Sequence, residues 1–296
     1  MRPSVIKSSE RAMAGNRMSD ARMFVLLLCF GCSAGWMTRA RGQAAEPPEK
    51  VEAHRHQHSH QMNIPSGASD RCEAKFTYQP GDLGPEHWGE VCGTGHSQSP
   101  IDIVKARTMP VPPLAPLEFH YQPAQLDMVN DCNHYLVKAR FPDNTWLKVG
   151  RKPYRLSEID FHEPGENAVK GQRPVMSLQF IHLSPEATFL IVEVPVVEGK
   201  ENPVIKTLWK HIPSGGQEEV TSSVKINPMD LLPADHGFYT FRGSLTNPVC
   251  NEGVAWFVLK HPIEMSASQI AQYRRYYHDT ARPLQPLGQR PVLQSP

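Results

Sequence analysis

Short apolar runs separated by turn residues occupy most of the chain from about residue 72 onward. The runs have the length of strands, and several are rich in β-branched and aromatic residues. They are Leu117–Tyr121, Tyr135–Phe141, Trp146–Val149, Leu178–His182, Thr188–Val197, Phe238–Phe241 and Val254–Leu259. One stretch, Ser268–Tyr277, has apolar residues at helical spacing, and Ser266 or Ser268 is its candidate cap. The pattern predicts a β-rich domain rather than a helical bundle.

The stretch Tyr154–His182 carries polar residues inside its predicted strands. Asp160 and His162 are two positions apart, as are Ser177 and Gln179, and alternate side chains of a strand share a face. Pairing of the two segments would therefore bring Asp160, His162 and Gln179 together. Catalytic zinc usually has three ligands drawn from His, Cys, Asp and Glu, with water in an open fourth position. The sequence predicts the scaffold of such a site without its metal chemistry, since one residue of the three is a good zinc ligand.

The first 70 residues have the pattern of a leader followed by a linker. Arg17 and Arg22 precede the apolar run Met23–Met37, and small residues follow it, which is typical of a signal peptide. The run is shorter than the roughly 20 residues of a membrane span. We therefore expect a signal peptide with a long leader over residues 1–45, a disordered His-rich linker over 46–70, a folded domain over 71–296, and no membrane span in the mature chain. Secretion and retention in a periplasm both remain open.

The predicted linker has a histidine at every second position: His54, His56, His58 and His60. Such a tract can bind zinc, copper or nickel through neutral imidazoles. The other interpretation is a disordered and weakly metal-binding linker. We favour the second, because nothing nearby would fix the ligands in one geometry. If the protein binds zinc at all, the tract is a better candidate than the central site.

Charge and cysteine content limit the classes of partner and compartment. The formal net charge is +1, which gives no electrostatic case for nucleic acid or for an acidic partner. An exported chain would keep Cys72, Cys92, Cys132 and Cys250, an even number in an oxidising compartment. Four cysteines permit three pairings, and the sequence alone leaves them open.

Several phrases, taken in order, resemble one family. They are GPEHW, QSPIDI, YRLSEIDFHEPGEN, MSLQFIH, FYTFRGSLTNPVCNEGVAWFVLKHPI and ARPLQPLGQRPVL, which extend from about Cys72 to Leu293. Together they resemble an α-class carbonic anhydrase domain. The resemblance implies a mainly β (α+β) single domain over residues 71–296. It also implies a large, mostly antiparallel, twisted central sheet with short peripheral helices.

The resemblance assigns the zinc-ligand positions to Asp160, His162 and Gln179. In active members three histidines hold zinc, which lowers the pKa of its bound water to about 7 from roughly 15.7, and the hydroxide attacks carbon dioxide. Two of the three histidines are thus replaced here. The positions that support the ligands hold Ser177 in place of an acid and Glu158 in place of an amide. The resemblance therefore implies that no cofactor is expected, and zinc only if the altered site is still competent.

Other family positions keep their residues. Thr246 matches the threonine whose hydroxyl accepts a hydrogen bond from the zinc hydroxide, and Glu166 matches the glutamate that holds that threonine hydroxyl. Leu245 and Trp256 match residues that line the carbon dioxide pocket. We favour a structural role for all four, because a buried Glu–Thr hydrogen bond and an apolar core serve the fold with or without zinc.

Two further assignments follow from the resemblance. Asn133 occupies the position of the proton-shuttle histidine and does not titrate near neutral pH; the adjacent His134 would face the opposite side of a strand. Cys92 and Cys250 match the cysteines that form a disulfide in exported members, which leaves the other two as a possible second pair.

The function predicted from these observations is that of an exported carbonic-anhydrase-like protein without zinc-dependent hydratase activity. It would work as a binding or scaffold module for an unidentified protein or glycan. Two alternatives stay open: a weakly active or atypical carbonic anhydrase, and a protein that binds metal through the histidine tract.

Overall fold

The computed structural model describes residues 75–104, 114–142, 144–216 and 218–296. The predicted signal peptide, the histidine tract and Cys72 lie outside these ranges, so the domain boundaries stay predictions. No helix of the described ranges is long and apolar enough to cross a membrane.

Strands make up most of the regular structure in the described ranges. They are β1 (Asp102–Ile103), β2 (Leu117–His120), β3 (Ala124–Asp131), β4 (Leu136–Arg140), β5 (Trp146–Val149), β6 (Lys152–His162), β7 (Ala168–Val169), β8 (Met176–Leu183), β9 (Phe189–Glu198), β10 (Glu218–Ile226), β11 (Phe238–Ser244), β12 (Glu252–Leu259), β13 (Ile263–Met265) and β14 (Leu293–Gln294). The helices are short: α1 (Val91–Thr94), α2 (Pro203–Trp209), α3 (Ala267–Tyr273) and the 3-10 helices Pro85–His87 and Pro228–Leu231. The mainly β prediction is confirmed.

One large sheet of 12 strands contains most of these elements, in the order β10-β3-β4-β6-β8-β9-β12-β11-β14. β13 pairs with β9, β2 pairs with β5, and β5 also pairs with β6. β9 runs parallel to β12 and β13, and the remaining pairs of the large sheet are antiparallel. β1 and β7 form a separate parallel pair. The prediction of a large, mostly antiparallel sheet is therefore confirmed. The pairs of β9 with β12 and β13 are the parallel part that makes the sheet mixed.

The central strands β6, β8 and β9 are buried on both faces. Phe161, Leu178 and Val192 point into the larger apolar core and are fully buried. Their neighbours Asp160 and Gln179 point to the opposite face, because successive side chains of a strand alternate. A shift of one residue in pairing would bury the polar set in the apolar core, so the apolar face fixes the register.

Several elements differ from the sequence prediction. Among those that the prediction omitted are β3, β10 and α2. β10 is an edge strand with mostly exposed side chains, so it lacks the apolar pattern that the prediction used. The predicted helix Ser268–Tyr277 begins one residue earlier and ends at Tyr273. Ser266 is its cap and forms a capping box with Gln269.

A disulfide and a buried arginine fasten the segment before β1 to the rest of the domain. Cys92 and Cys250 form the predicted disulfide across 158 residues, which would stabilise the fold by about 5 kcal/mol in the chain-entropy model. Cys132 is also disulfide-bonded, and Cys72 lies outside the described residues. Arg282 donates from Nη1 to the Gln98 side chain at 2.7 Å and from Nη2 to the Cys92 carbonyl at 3.0 Å.

Candidate functional site

The pairing of β6 with β8 brings the predicted polar positions together. Asp160 lies opposite Gln179, and His162 lies opposite Ser177. All four residues are buried, with exposed fractions of 8% or less. Directly opposed residues of an antiparallel pair share a face at about 5 Å, so the strands form the neighbourhood that the sequence pattern predicts.

His162 is held by a main-chain carbonyl. Its Nδ1 lies 2.9 Å from the carbonyl oxygen of Thr280. A carbonyl only accepts, so Nδ1 carries a hydrogen. The ring also meets the edge of Tyr78, with centroids 6.4 Å apart. His162 therefore keeps the kind of partner that orients a metal-bound imidazole.

Gln179 makes a different contact from the one expected of a ligand. Its Nε2 donates to Oε2 of Glu166 at 2.5 Å, and Oε1 of Glu166 accepts from the backbone N–H of Arg282 at 3.3 Å. The hydrogen bond between Glu166 and Thr246 that the resemblance implies is not made within the described residues. The correction has a physical reason: the amide of Gln179 supplies the buried carboxylate with a strong N–H donor.

A buried ammonium lies beside these residues. Lys138 on β4 is the cross-strand partner of Asp160. Its Nζ is 3.0 Å from Oδ2 of Asp131 and 3.4 Å from Oε1 of Glu158. Nδ1 of His134 is 2.8 Å from the same Asp131 oxygen. We call these five residues the Lys138 cluster.

Opposing effects set the pKa values in the Lys138 cluster. Burial lowers the pKa of Lys138, but the charges of Asp160, Glu158 and Asp131 outweigh burial and raise this pKa above its usual value. Burial raises the pKa of Asp131, but the contacts with His134 and Lys138 bring it well below its usual range. Burial, and next the charge of Glu158, raise the pKa of Asp160. The ammonium thus offsets carboxylates that share one buried space.

The expected orientation of His134 assumed a strand, and this assumption does not hold. His134 and Asn133 lie in the turn that connects β3 to β4, where the alternation of a strand does not apply. His134 turns back to Asp131. Asn133 is half-buried in the same turn.

Three buried polar atoms in this region have no hydrogen-bond partner within the described residues: Oδ1 of Asp160, Oγ of Ser177 and the hydroxyl of Tyr78. Burial raises the pKa of Tyr78, and the charges of Glu166 and Asp160 raise it further. An unpaired buried polar group costs about 1–3 kcal/mol. These atoms are therefore a place where a hydrogen-bonding ligand or solvent would be stabilised.

The predicted apolar pocket residues pack beside the polar positions. Trp256 is fully buried in a cluster that includes Ile181 and Ile191, and its Nε1 donates to the Ser244 carbonyl at 3.0 Å. Leu245 is partly buried against the same cluster. Both residues contribute to the packing of this face of the sheet.

Three residues that contribute to the site were not predicted from the sequence. Lys138 had a signal, because it is a charged residue inside an apolar run. Tyr78 had none, since the segment before β1 reaches the site only through the tertiary fold. Thr280 acts through its main-chain carbonyl, which no side-chain pattern reveals. Within the described ranges, no group of three or more His, Cys, Asp or Glu side chains is arranged to hold a metal ion.

The fold is a large mixed sheet with polar residues buried on β6 and β8, and a comparison with known protein families identifies it. Residues 83–296 match the family described as eukaryotic-type carbonic anhydrase. The chain belongs to the α-class carbonic anhydrase family.

Individual relatives agree with this assignment. A carbonic anhydrase of Nostoc sp. is 33% identical over 224 residues, which cover 73% of this chain and 84% of the relative. Dioscorin DB3S of Dioscorea polystachya is 30% identical over 235 residues, which cover 75% of this chain and 87% of the relative. The structure of an α-carbonic anhydrase from Thermovibrio ammonificans, in complex with sulfanilamide, is similar with a TM-score of 0.70 at 34% identity. The match covers 75% of this chain and 99% of the Thermovibrio ammonificans chain.

Proposed function

We propose that this protein is an exported member of the carbonic anhydrase family that lacks zinc-dependent hydratase activity and works as a binding or scaffold module. The contact between Gln179 and Glu166 carries the proposal. The amide at the third ligand position donates at 2.5 Å to a buried carboxylate, so this side chain serves an internal hydrogen bond.

The donor set does not fit a catalytic zinc ion. Zinc sites of this kind use three strong ligands, whereas these positions offer the imidazole of His162, the carboxylate of Asp160 and the amide of Gln179. The supporting groups have changed as well. The side-chain Oγ of Ser177 has no hydrogen-bond partner within the described residues. Glu158 accepts from Lys138 at 3.4 Å. Loss of supporting partners alone typically lowers metal affinity about 10- to 100-fold.

Two observations support the binding and export parts of the proposal. The unpaired atoms of Asp160, Ser177 and Tyr78 would gain hydrogen bonds from a ligand in the cleft. The disulfide between Cys92 and Cys250 is typical of an oxidising compartment. A protein or a glycan is the proposed class of partner.

A second function, weak hydration of carbon dioxide, has two observations in its favour. His162 keeps its carbonyl partner at Thr280, and relatives of similar length are named carbonic anhydrase. Metal binding by the histidine tract is a third possibility, and it concerns residues outside the described ranges.

The test compares hydratase activity and zinc content in the secreted protein. We would prepare wild type and a tract variant in which His54, His56, His58 and His60 are all replaced by Ala, then strip and reload each with zinc. We expect the tract variant to be free of zinc and to hydrate carbon dioxide no faster than buffer. A tract variant with about one zinc per chain and measurable hydration would refute the proposal.

A restored variant serves as the matched control. Asp160→His, Ser177→Glu and Gln179→His together, with Glu158→Gln, return the family residues to all four positions. We expect this variant to bind zinc where the wild type does not, because His162 is already oriented by Thr280. Asp160→His alone should not bind zinc, because the third ligand position would still hold the amide of Gln179.

A further inference from the structure

The structure has a cavity against the large sheet. Its volume is about 530 Å³, within the range of roughly 300–1,000 Å³ typical of small-molecule sites. The sheet supplies the floor through β9, β11 and β12, and the segment 167–174 supplies a wall. Glu193, the cross-strand partner of Gln179, also lines the cavity. Neither Gln179 nor His162 lines the cavity.

The charged groups of the lining are mostly basic. They are Lys170, Arg173 and Lys260, against one acid, Glu193. Glu193 is fully buried and satisfied, because Asn167 donates to it from Nδ2 at 2.8 Å and from the backbone N–H at 3.3 Å. Burial raises the pKa of Glu193 to about 8, so at neutral pH the carboxyl is mostly uncharged. The lining therefore attracts anions.

Arg173 keeps N–H donors that are available to a ligand. The half-buried side chain donates from Nη2 to the Arg282 carbonyl at 2.6 Å. It makes no ion pair with a carboxylate in the described part of the chain. A guanidinium has five N–H donors in a planar fork that matches a carboxylate. Lys260, in contrast, is engaged by the Ser295 carbonyl at 2.7 Å and by the ring of Tyr239.

The rest of the lining is largely apolar. It includes Val169, Val197 and Val258 together with proline rings and the ring of Tyr239. Apolar walls with one oriented charged group select a ligand that has an apolar body and a single matching charge. We propose that this cavity binds a small carboxylate with an apolar body, whose carboxylate pairs with Arg173.

Naphthoate is the probe, and neutral naphthamide has the same shape without the charge. We would titrate each into the isotope-labelled protein and follow its amide resonances by NMR. We expect saturation by naphthoate at millimolar concentration or below, with shifts concentrated in the lining segments 167–174, 193–197 and 258–262 and at Tyr239. Naphthamide should bind at least about tenfold more weakly, since a charge-assisted pair is roughly twice as strong as a neutral hydrogen bond.

Three variants make the test specific. Arg173→Gln should weaken naphthoate binding about tenfold or more while naphthamide binding stays unchanged, because only the carboxylate uses the fork. Arg275→Gln removes an equal charge from an exposed position outside the lining and should change neither affinity. If Arg173→Gln does not fold, Val197→Trp replaces it: Val197 is 39% exposed at the rim, and the larger ring should block both probes. Absence of saturation, equal binding of the two probes, or unchanged affinity in the folded Arg173 and Val197 variants would overturn the proposal.

Discussion

Replacement of Lys138 by Met should destabilise the fold strongly, because Lys138 is a buried charged residue with carboxylate partners. The side chain is 8% exposed, and its Nζ is 3.0 Å from Asp131 and 3.4 Å from Glu158. The Coulomb attraction at 3.0 Å is about 5–6 kcal/mol at an effective dielectric constant of about 20. Desolvation offsets part of this energy. Removal of one partner still leaves buried carboxylates uncompensated, which typically costs about 3–5 kcal/mol.

The pH dependence has a definite sign. The pKa of Asp131 is lowered in the folded state, so its contribution is present above the unfolded pKa of about 4 and is lost as the pH falls further. The pKa of Lys138 is raised, so its contribution is present below the unfolded pKa of about 10.4 and is lost as the pH rises through the folded pKa. The difference between wild type and Lys138→Met should thus be largest near neutral pH and should shrink in acid.

Urea unfolding at several pH values measures this difference, and thermal unfolding should show a decrease of roughly 6–20 °C in Tm. Lys148→Met is the matched control, because Lys148 is 40% exposed and 3.3 Å from a similarly exposed Glu118. Such a pair contributes about 1 kcal/mol or less. Equal unfolding free energies for the two variants, or no loss of the difference in acid, would refute the role of the buried ammonium.

Other expected outcomes concern stability. Ser266→Ala removes the helix cap and should cost about 1 kcal/mol, whereas Ser268→Ala should cost less than half of that; equal losses would contradict the capping assignment. Phe161→Ala, at a fully buried position, should lower the unfolding free energy by about 3–5 kcal/mol, and a loss below about 1 kcal/mol would argue against its burial. Removal of the disulfide by Cys92→Ser with Cys250→Ser should lower Tm markedly, and wild type in reductant should lose at least as much, because reductant also breaks the disulfide of Cys132.

The local sequence pattern predicted which polar residues of β6 and β8 lie together. The two-residue period of β6 and β8 fixes which side chains share a face, and apolar residues such as Phe161 and Leu178 fix the register. A sequence pattern can therefore indicate that Asp160, His162 and Gln179 meet. The family phrases added the large, mostly antiparallel sheet and the disulfide between Cys92 and Cys250, which no local pattern determines.

Contacts between distant segments escaped the sequence. The Lys138 cluster depends on the pairing of β4 with β6, and the turn at His134 reverses an orientation that a strand would give. The edge strand β10 has too few apolar positions to be recognised. Gln179 could have pointed to solvent or to a ligand, and only the folded position of Glu166 shows its partner.

Native mass spectrometry of the zinc-loaded tract variant tests the central claim most directly, because it counts metal ions on the folded chain. With the four tract histidines removed, the account expects the mass of the metal-free protein. The restored variant, measured beside it, should gain the mass of one zinc ion. A stoichiometric zinc adduct on the tract variant, lost on Gln179→Ala, would show that the central site still holds metal and would contradict the account.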